Sequence, residues 1–231
     1  MTDLTSTQLL LVAAAATLVL YLLPGARVIG RPLILLATLV HELGHGLAAM
    51  LLGGSFKRLQ LWWNGSGVAS YEGRFSALSR ALIAAGGPLG PPLAALALFW
   101  AGTKPESAQL ALAILAGVCV LVELLFVRNL FGFVFVLLLG AALALLAWRA
   151  TASVAQFACA FLALQMSLSV FSRGDYLFQA QARTAAGMMP SDTAQIAAAI
   201  GLTYWFWGGL IALISLAVVA YGLWVFVPVQ F

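Results

Sequence analysis

Charge is scarce in this chain. Of its 231 residues, 8% are Asp, Glu, Lys or Arg against 64% hydrophobic, and the mean hydropathy is +1.07. Soluble domains carry about 25% charged and roughly 45–50% apolar residues, so a water-soluble fold is excluded. Cysteine is scarce too. Cys119 and Cys159 both lie inside apolar runs, where they read as small hydrophobes. They leave no disulfide framework and no cysteine-rich metal site. Eleven Lys and Arg against seven Asp and Glu give a net charge of +4, but apart from the adjacent Lys57-Arg58 the basic residues are scattered between apolar runs. That spacing excludes a nucleic-acid face and fits the one-sided basic bias of membrane proteins. No internal repeat, low-complexity tract or long linker divides the chain, which reads as one integral-membrane domain, 1–231.

What is abundant is apolar sequence in span-length blocks. Seven segments, 7–23, 33–52, 77–101, 108–127, 130–148, 151–171 and 202–227, approach or exceed the length needed to cross about 30 Å of hydrocarbon as a helix. The fold class expected is an all-α polytopic membrane protein of about seven transmembrane helices. The first segment carries Asp3 and no basic residue ahead of it, and no clean small-x-small site follows, so it reads as a retained helix rather than a signal peptide. Pro32 suits the first turn of the second helix, and Gly53-Gly54 stops it. The third contains Gly86-Gly87-Pro88 and Pro91-Pro92, which predicts a kink or partial unwinding. Between these two helices, β-capable runs around Asn64-Gly65-Ser66-Gly67 predict a short hairpin. Trp62-Trp63 are expected to anchor at the membrane interface. Asp192-Thr193-Ala194-Gln195 resembles a capping box, opening a short helix that ends near Gly201. With seven spans the basic residues divide seven to four, which orients the N-terminus toward the cytoplasm.

The only two histidines fall in His41-Glu42-Leu43-Gly44-His45. Positions i and i+4 share a helical face, so both imidazoles can reach one zinc ion at about 2.0–2.1 Å. Glu42 lies one position round, where it can face a metal-bound water and take its proton as that water attacks a carbonyl. Three ionisable groups in the middle of an apolar helix are functional by default, since each charged one costs at least ~2.5–3.5 kcal/mol there unless partnered. The plainer reading is a set of polar bridges or a channel lining. A catalytic zinc site normally has a third protein ligand, and with no histidine left that ligand must be a carboxylate. Asp3, Glu72, Glu106 and Asp192 read as loop or tail residues, which leaves Glu123 and Asp175. Glu123 also reads as a buried partner of Arg128 or of a backbone donor, and Asp175 as an interfacial pair with Arg173.

Thr38 through Gly46 followed by Gly53-Gly54 resembles the M50 (site-2 protease) metallopeptidases, in particular their compact M50B-like branch. Gly65-Ser66-Gly67-Val68, Ala85-Gly86-Gly87-Pro88-Leu89-Gly90, Val127-Arg128-Asn129-Leu130-Phe131-Gly132 and Ser191-Asp192-Thr193-Ala194-Gln195 extend the resemblance over most of 38–200. It implies an intramembrane zinc endopeptidase that hydrolyses bonds in or near transmembrane segments. His41, His45 and a distal aspartate would hold the zinc, and Glu42 would be the base. The usual Leu-Asp-Gly string is missing, and Ser172-Arg173-Gly174-Asp175-Tyr176 stands in the comparable place, so Asp175 is the expected third ligand. No PDZ-like or nucleotide-binding insert is recognisable in the stretch, so the regulatory domains of other family members are not expected here. A transmembrane substrate must unwind before cleavage, and the strand edge Val68, Ala69, Ser70, Tyr71 is the candidate surface for it. Gly86–Pro88 is expected to admit close packing against the catalytic helix. The partners expected are a transmembrane substrate and the bilayer, in a bacterial inner (cell) membrane. The rival reading is a non-proteolytic transporter or metal-binding protein that retains the zinc site.

Overall fold

In hydrocarbon a chain must satisfy its own backbone, and the apolar blocks do so as helices. A computed structural model describes residues 4–22, 25, 30–172, 177–185 and 187–227. Its elements are α1 (Ser6–Leu22), α2 (Arg31–Leu51), β1 (Ser55–Leu61), β2 (Gly67–Glu72), α3 (Ala77–Ala101) and α4 (Pro105–Leu125), followed by α5 (Leu130–Arg149), α6 (Ala152–Ser172), β3 (Gln181–Thr184), β4 (Gly187–Pro190), α7 (Asp192–Ile200) and α8 (Tyr204–Phe226). Six of the helices are long and apolar enough to cross a membrane, and α1 is a shorter apolar helix of 17 residues. The fold is therefore a polytopic helical membrane protein with a small hairpin after α2, as expected, and a second hairpin that was not expected.

The helix ends follow their local chemistry. Pro32 sits in the first turn of α2, and Gly53 takes φ +83 just beyond its end, a left-handed conformation that glycine adopts without strain. Ser76 caps α3 by accepting from the Ser79 N–H at 3.1 Å. Of the kink or partial unwinding expected of α3, the unwinding does not occur: the helix is continuous from Ala77 to Ala101, with Pro88, Pro91 and Pro92 inside it. Its glycines serve packing instead. A Cβ on Gly44 would run into the Gly86 carbonyl, and one on Gly90 would lie 2.8 Å from the Val40 carbonyl oxygen. Backbone-to-backbone approach of α2 and α3 is possible only because these positions lack side chains.

The first hairpin runs back along α2 rather than projecting from its end. The Thr38 hydroxyl lies 2.8 Å from the Gly65 carbonyl oxygen, and the Arg31 guanidinium stacks on the Trp63 ring at 4.7 Å, so the hairpin tip returns to the start of α2. β1 pairs antiparallel with β2, Leu59 opposite Ala69 and Leu61 opposite Gly67. Its other edge is not free. Leu59 donates to the Phe126 carbonyl at 2.7 Å and accepts from the Arg128 N–H at 3.0 Å. Beyond it, the Asn129 amide donates to the Leu61 carbonyl at 2.6 Å and accepts from the Leu61 N–H at 3.2 Å. The link between α4 and α5 thus acts as a third strand.

A large core joins α1 to α6 and the first hairpin. A second, smaller one joins Ala81, Ala84, Leu177, Ile196 and Ile211. This second cluster seats α7 against α3 and α8, and that seating brings the start of α7 to α2.

Candidate metal centre

His41 and His45 lie one turn apart on α2, with their ring centroids 4.9 Å apart and their Nε2 atoms 3.2 Å apart. The carboxylate that meets them comes from Asp192, the first residue of α7. Its Oδ2 is 3.1 Å from His41 Nε2 and its Oδ1 is 3.3 Å from His45 Nε2. Among the described residues these three form the one group of potential ligands, their ligand atoms all within 4.8 Å of one another.

Each member is held by its own element. His45 Nδ1 lies 2.8 Å from the Ile83 carbonyl oxygen of α3. A carbonyl only accepts, so Nδ1 carries the proton, and the Nε2 of a neutral ring presents a lone pair to its neighbours. Asp192 is 2% exposed. The residues on either side of it are pinned, with the Ser191 hydroxyl donating to the Gln179 carbonyl at 2.6 Å and the Thr193 hydroxyl to the Leu177 carbonyl at 3.1 Å. Burial alone would push the Asp192 carboxyl up, but the imidazoles of His45 and His41 beside it hold it well below the usual carboxylate range. Its place in the first turn of α7 adds the favourable end of the helix dipole. Lone pairs and a carboxylate that converge in this way repel one another unless a proton or a cation lies between them. Two imidazole nitrogens and an oxygen anion are a donor set that zinc takes readily.

Gly87 closes the α3 side. A Cβ there would overlap His45 Nε2 and come within 2.8 Å of His41 Nε2. Glu42 faces the first hairpin, 8% exposed, and its Oε2 accepts from the Ala69 N–H at 2.7 Å. Leu59 spends its N–H and carbonyl on the α4–α5 link, so Ala69 opposite it turns its own N–H outward, toward Glu42. Gly67 is required as well: a Cβ there would lie 2.6 Å from Thr38 Cγ2 and 2.7 Å from Glu42 Cγ. Between β2 and the second hairpin lies a cleft of about 100 Å³, lined by Glu42, His45, Ala69, Tyr71, Met189 and Asp192 among others.

Of the strand-edge residues, Val68, Ala69 and Tyr71 line this cleft, whereas Ser70 turns away and accepts from Arg58 Nε at 3.3 Å. Asp175 lies outside the described residues. Glu123 does not join the histidines, nor does it pair with Arg128 as expected: Arg128 caps the end of α4, donating to the carbonyls of Leu125 at 2.5 Å and Val127 at 2.7 Å. Asp192 is the residue that sequence reasoning passed over. Local pattern reads it as a loop residue and the cap of its helix, but the cap is Ser191, whose hydroxyl accepts from the Ala194 N–H at 3.2 Å. Shifting the cap by one residue releases the aspartate side chain.

No curated protein and no solved structure matches the chain. The model of the Peptidase M50B-like family, by contrast, matches residues 10–222, a stretch that takes in both histidines, Glu42, the two hairpins and Asp192. With that coverage the chain belongs to the M50B-like peptidases, a family of membrane metallopeptidases.

Proposed function

We propose that this peptidase is an intramembrane zinc endopeptidase in which His41, His45 and Asp192 hold the metal and Glu42 is the general base, acting on transmembrane segments of membrane proteins. The observation that supports it best is the convergence of the two Nε2 atoms on the Asp192 carboxylate, with the Glu42 carboxylate on the same cleft. Zinc, when bound, supplies a Lewis acid that polarises the scissile carbonyl and acidifies water. Glu42 takes the proton of the attacking water and delivers it to the leaving amine. The Nδ1–Ile83 bond keeps the His45 ring in one orientation throughout.

Substrate enters as an added strand along Val68, Ala69 and Tyr71. An extended segment gains backbone partners there, which a helix unwound in hydrocarbon needs. The outward N–H of Ala69 is already bonded to Glu42. An incoming strand that takes this N–H turns the Glu42 carboxylate toward the reacting water, so binding and activation of the base are one event. Burial, with Asp192 and Glu42 nearby, raises the pKa of Tyr71, which leaves its phenol protonated as a donor to the substrate backbone.

The test is incubation of the purified protein with membrane-spanning peptides, with and without a chelator, alongside Glu42→Gln. Chelator-sensitive cleavage that is lost in Glu42→Gln is expected. Metal binding without cleavage of any spanning peptide would favour the non-proteolytic rival.

A further inference from the structure

Among the described residues, Glu123 is the one buried carboxylate that the proposed chemistry does not use. It is 7% exposed, and neither of its oxygens has a hydrogen-bond partner among the described residues. An ionisable side chain left in this state within a membrane-spanning helix is costly, and such residues ordinarily face a partner. Glu123 lines a groove of about 450 Å³ between α4 and α5. The rest of the lining is apolar and includes the small residues Ala116, Gly117, Ala141 and Ala144.

Gly117 supplies a second, independent observation. Gly140, also in this groove, is explained within the chain, because a Cβ there would lie 3.0 Å from Cys119 Cβ, where α4 and α5 pack. A Cβ on Gly117 would meet nothing within 4 Å. A glycine inside a helix is a cost against alanine, and no contact among the described residues requires it. Small residues that let a backbone approach, combined with a polar group that lacks its partner, are the features of a helix–helix interface in membranes. A lipid acyl chain would need neither.

We propose that the α4–α5 groove docks a transmembrane helix of another protein, one that presents a hydrogen-bond donor (an ammonium, a guanidinium or an amide) to the Glu123 carboxyl. The carboxyl selects the partner by charge and donor chemistry, and Gly117 sets how closely the partner's backbone approaches. The rim is ready for such a neighbour: Val120, Leu124 and Leu137 stand exposed around the groove. The site lies on helices that carry no residue of the metal centre, so it stands or falls independently of the proposed proteolysis.

The full-length protein, reconstituted in phosphatidylcholine liposomes, is titrated with dansylated Leu/Ala helices of about 21 residues. Two of these carry one lysine, four residues from either end, and the third carries leucine instead. Energy transfer from the protein's tryptophans reads binding. One lysine helix is expected to bind on the order of 3- to 20-fold more tightly than the leucine helix. Glu123→Leu should erase that difference. Gly117→Leu, whose side chain enters open space and so leaves the fold intact, should weaken all three. Equal binding of the helices, a preference that survives Glu123→Leu, or full binding by Gly117→Leu would each overturn the proposal. So would Glu123-dependent retention of phosphatidylethanolamine with no preference among the helices, which assigns the groove to a lipid amine. Glu123-dependent self-association without such a preference assigns it to a second copy and overturns the proposal equally.

Discussion

His45 Nδ1 lies 2.8 Å from the carbonyl oxygen of Ile83, and this one contact decides which nitrogen faces Asp192. The helix that bears Ile83 also bears Gly87, so α3 both orients the ring and makes room for it. The carboxylate opposite belongs to Asp192, far along the chain. The first prediction follows from that pairing. Purified protein is expected to hold about one zinc per chain, and Asp192→Ala to weaken zinc by at least 10–100-fold, since even the groups that merely support a metal's ligands cost that much. Glu123→Ala should bind zinc as the parent does. A zinc titration in which Asp175→Ala lost the metal and Asp192→Ala kept it would transfer the role to Asp175.

Glu42→Gln should separate metal from chemistry. The amide preserves the size of the side chain and still accepts from the Ala69 N–H, but it cannot take a proton at neutral pH. Zinc content is expected to remain near one per chain while cleavage falls by about 10²–10⁴-fold, the range that a positioned base supplies. Appreciable turnover by a folded, metallated Glu42→Gln protein would remove Glu42 from the role of base.

Gly87→Ala tests the shape of the centre without touching a ligand. The added methyl would overlap His45 Nε2, and the α2–α3 crossing has no slack, because Gly44 and Gly86 already bring the two backbones together. The expected result is a helical protein with weakened zinc binding. Zinc analysis and circular dichroism on one sample check it. Parental zinc affinity in this variant would show that the ring can move aside.

The parts of the fold that reside in local pattern were legible in the sequence. Span-length apolar blocks read as helices, the Gly65–Gly67 turn as a hairpin, and His41 with His45 as a shared face, because each depends only on residues a few positions apart. The carboxylate at the histidines depended on something else. Asp192 was visible as part of a capping motif, and a cap residue already has a partner, which made it look accounted for. Reading Ser191 as the cap leaves the aspartate one step inside the helix and pointing elsewhere. Its approach to α2 comes from the packing of Leu177, Ile196 and Ile211 against α3, a long-range contact that no local periodicity encodes. The prolines of α3 predict a kink or a partial unwinding, and the unwinding is what the structure lacks. In a bundle, neighbouring helices and local adjustment let prolines stay inside a continuous helix.

The last prediction concerns Asn129, which pairs with the first hairpin as a strand would. Its amide donates to the Leu61 carbonyl at 2.6 Å, and its carbonyl accepts from the Leu61 N–H at 3.2 Å, so one side chain satisfies both backbone groups of a fully buried residue. Gly132 lies close by, where a Cβ would come 2.6 Å from Asn129 Oδ1, so the amide is held on both sides. Asn129→Ala leaves the N–H and carbonyl of Leu61 without these partners, at a cost of about 1–3 kcal/mol for a buried group. The loss falls on β1, and β1 in turn supports β2 and the Ala69 N–H that holds Glu42. Asn129→Ala is therefore expected to speed amide exchange at Leu61 and to lower cleavage of spanning peptides, while zinc content stays near one per chain. Asn129→Asp keeps an acceptor for the Leu61 N–H but sets a carboxylate oxygen against the Leu61 carbonyl, and should be at least as damaging. Parental exchange at Leu61 in both variants would mean that β1 is held by its pairing with β2, Phe126 and Arg128 alone.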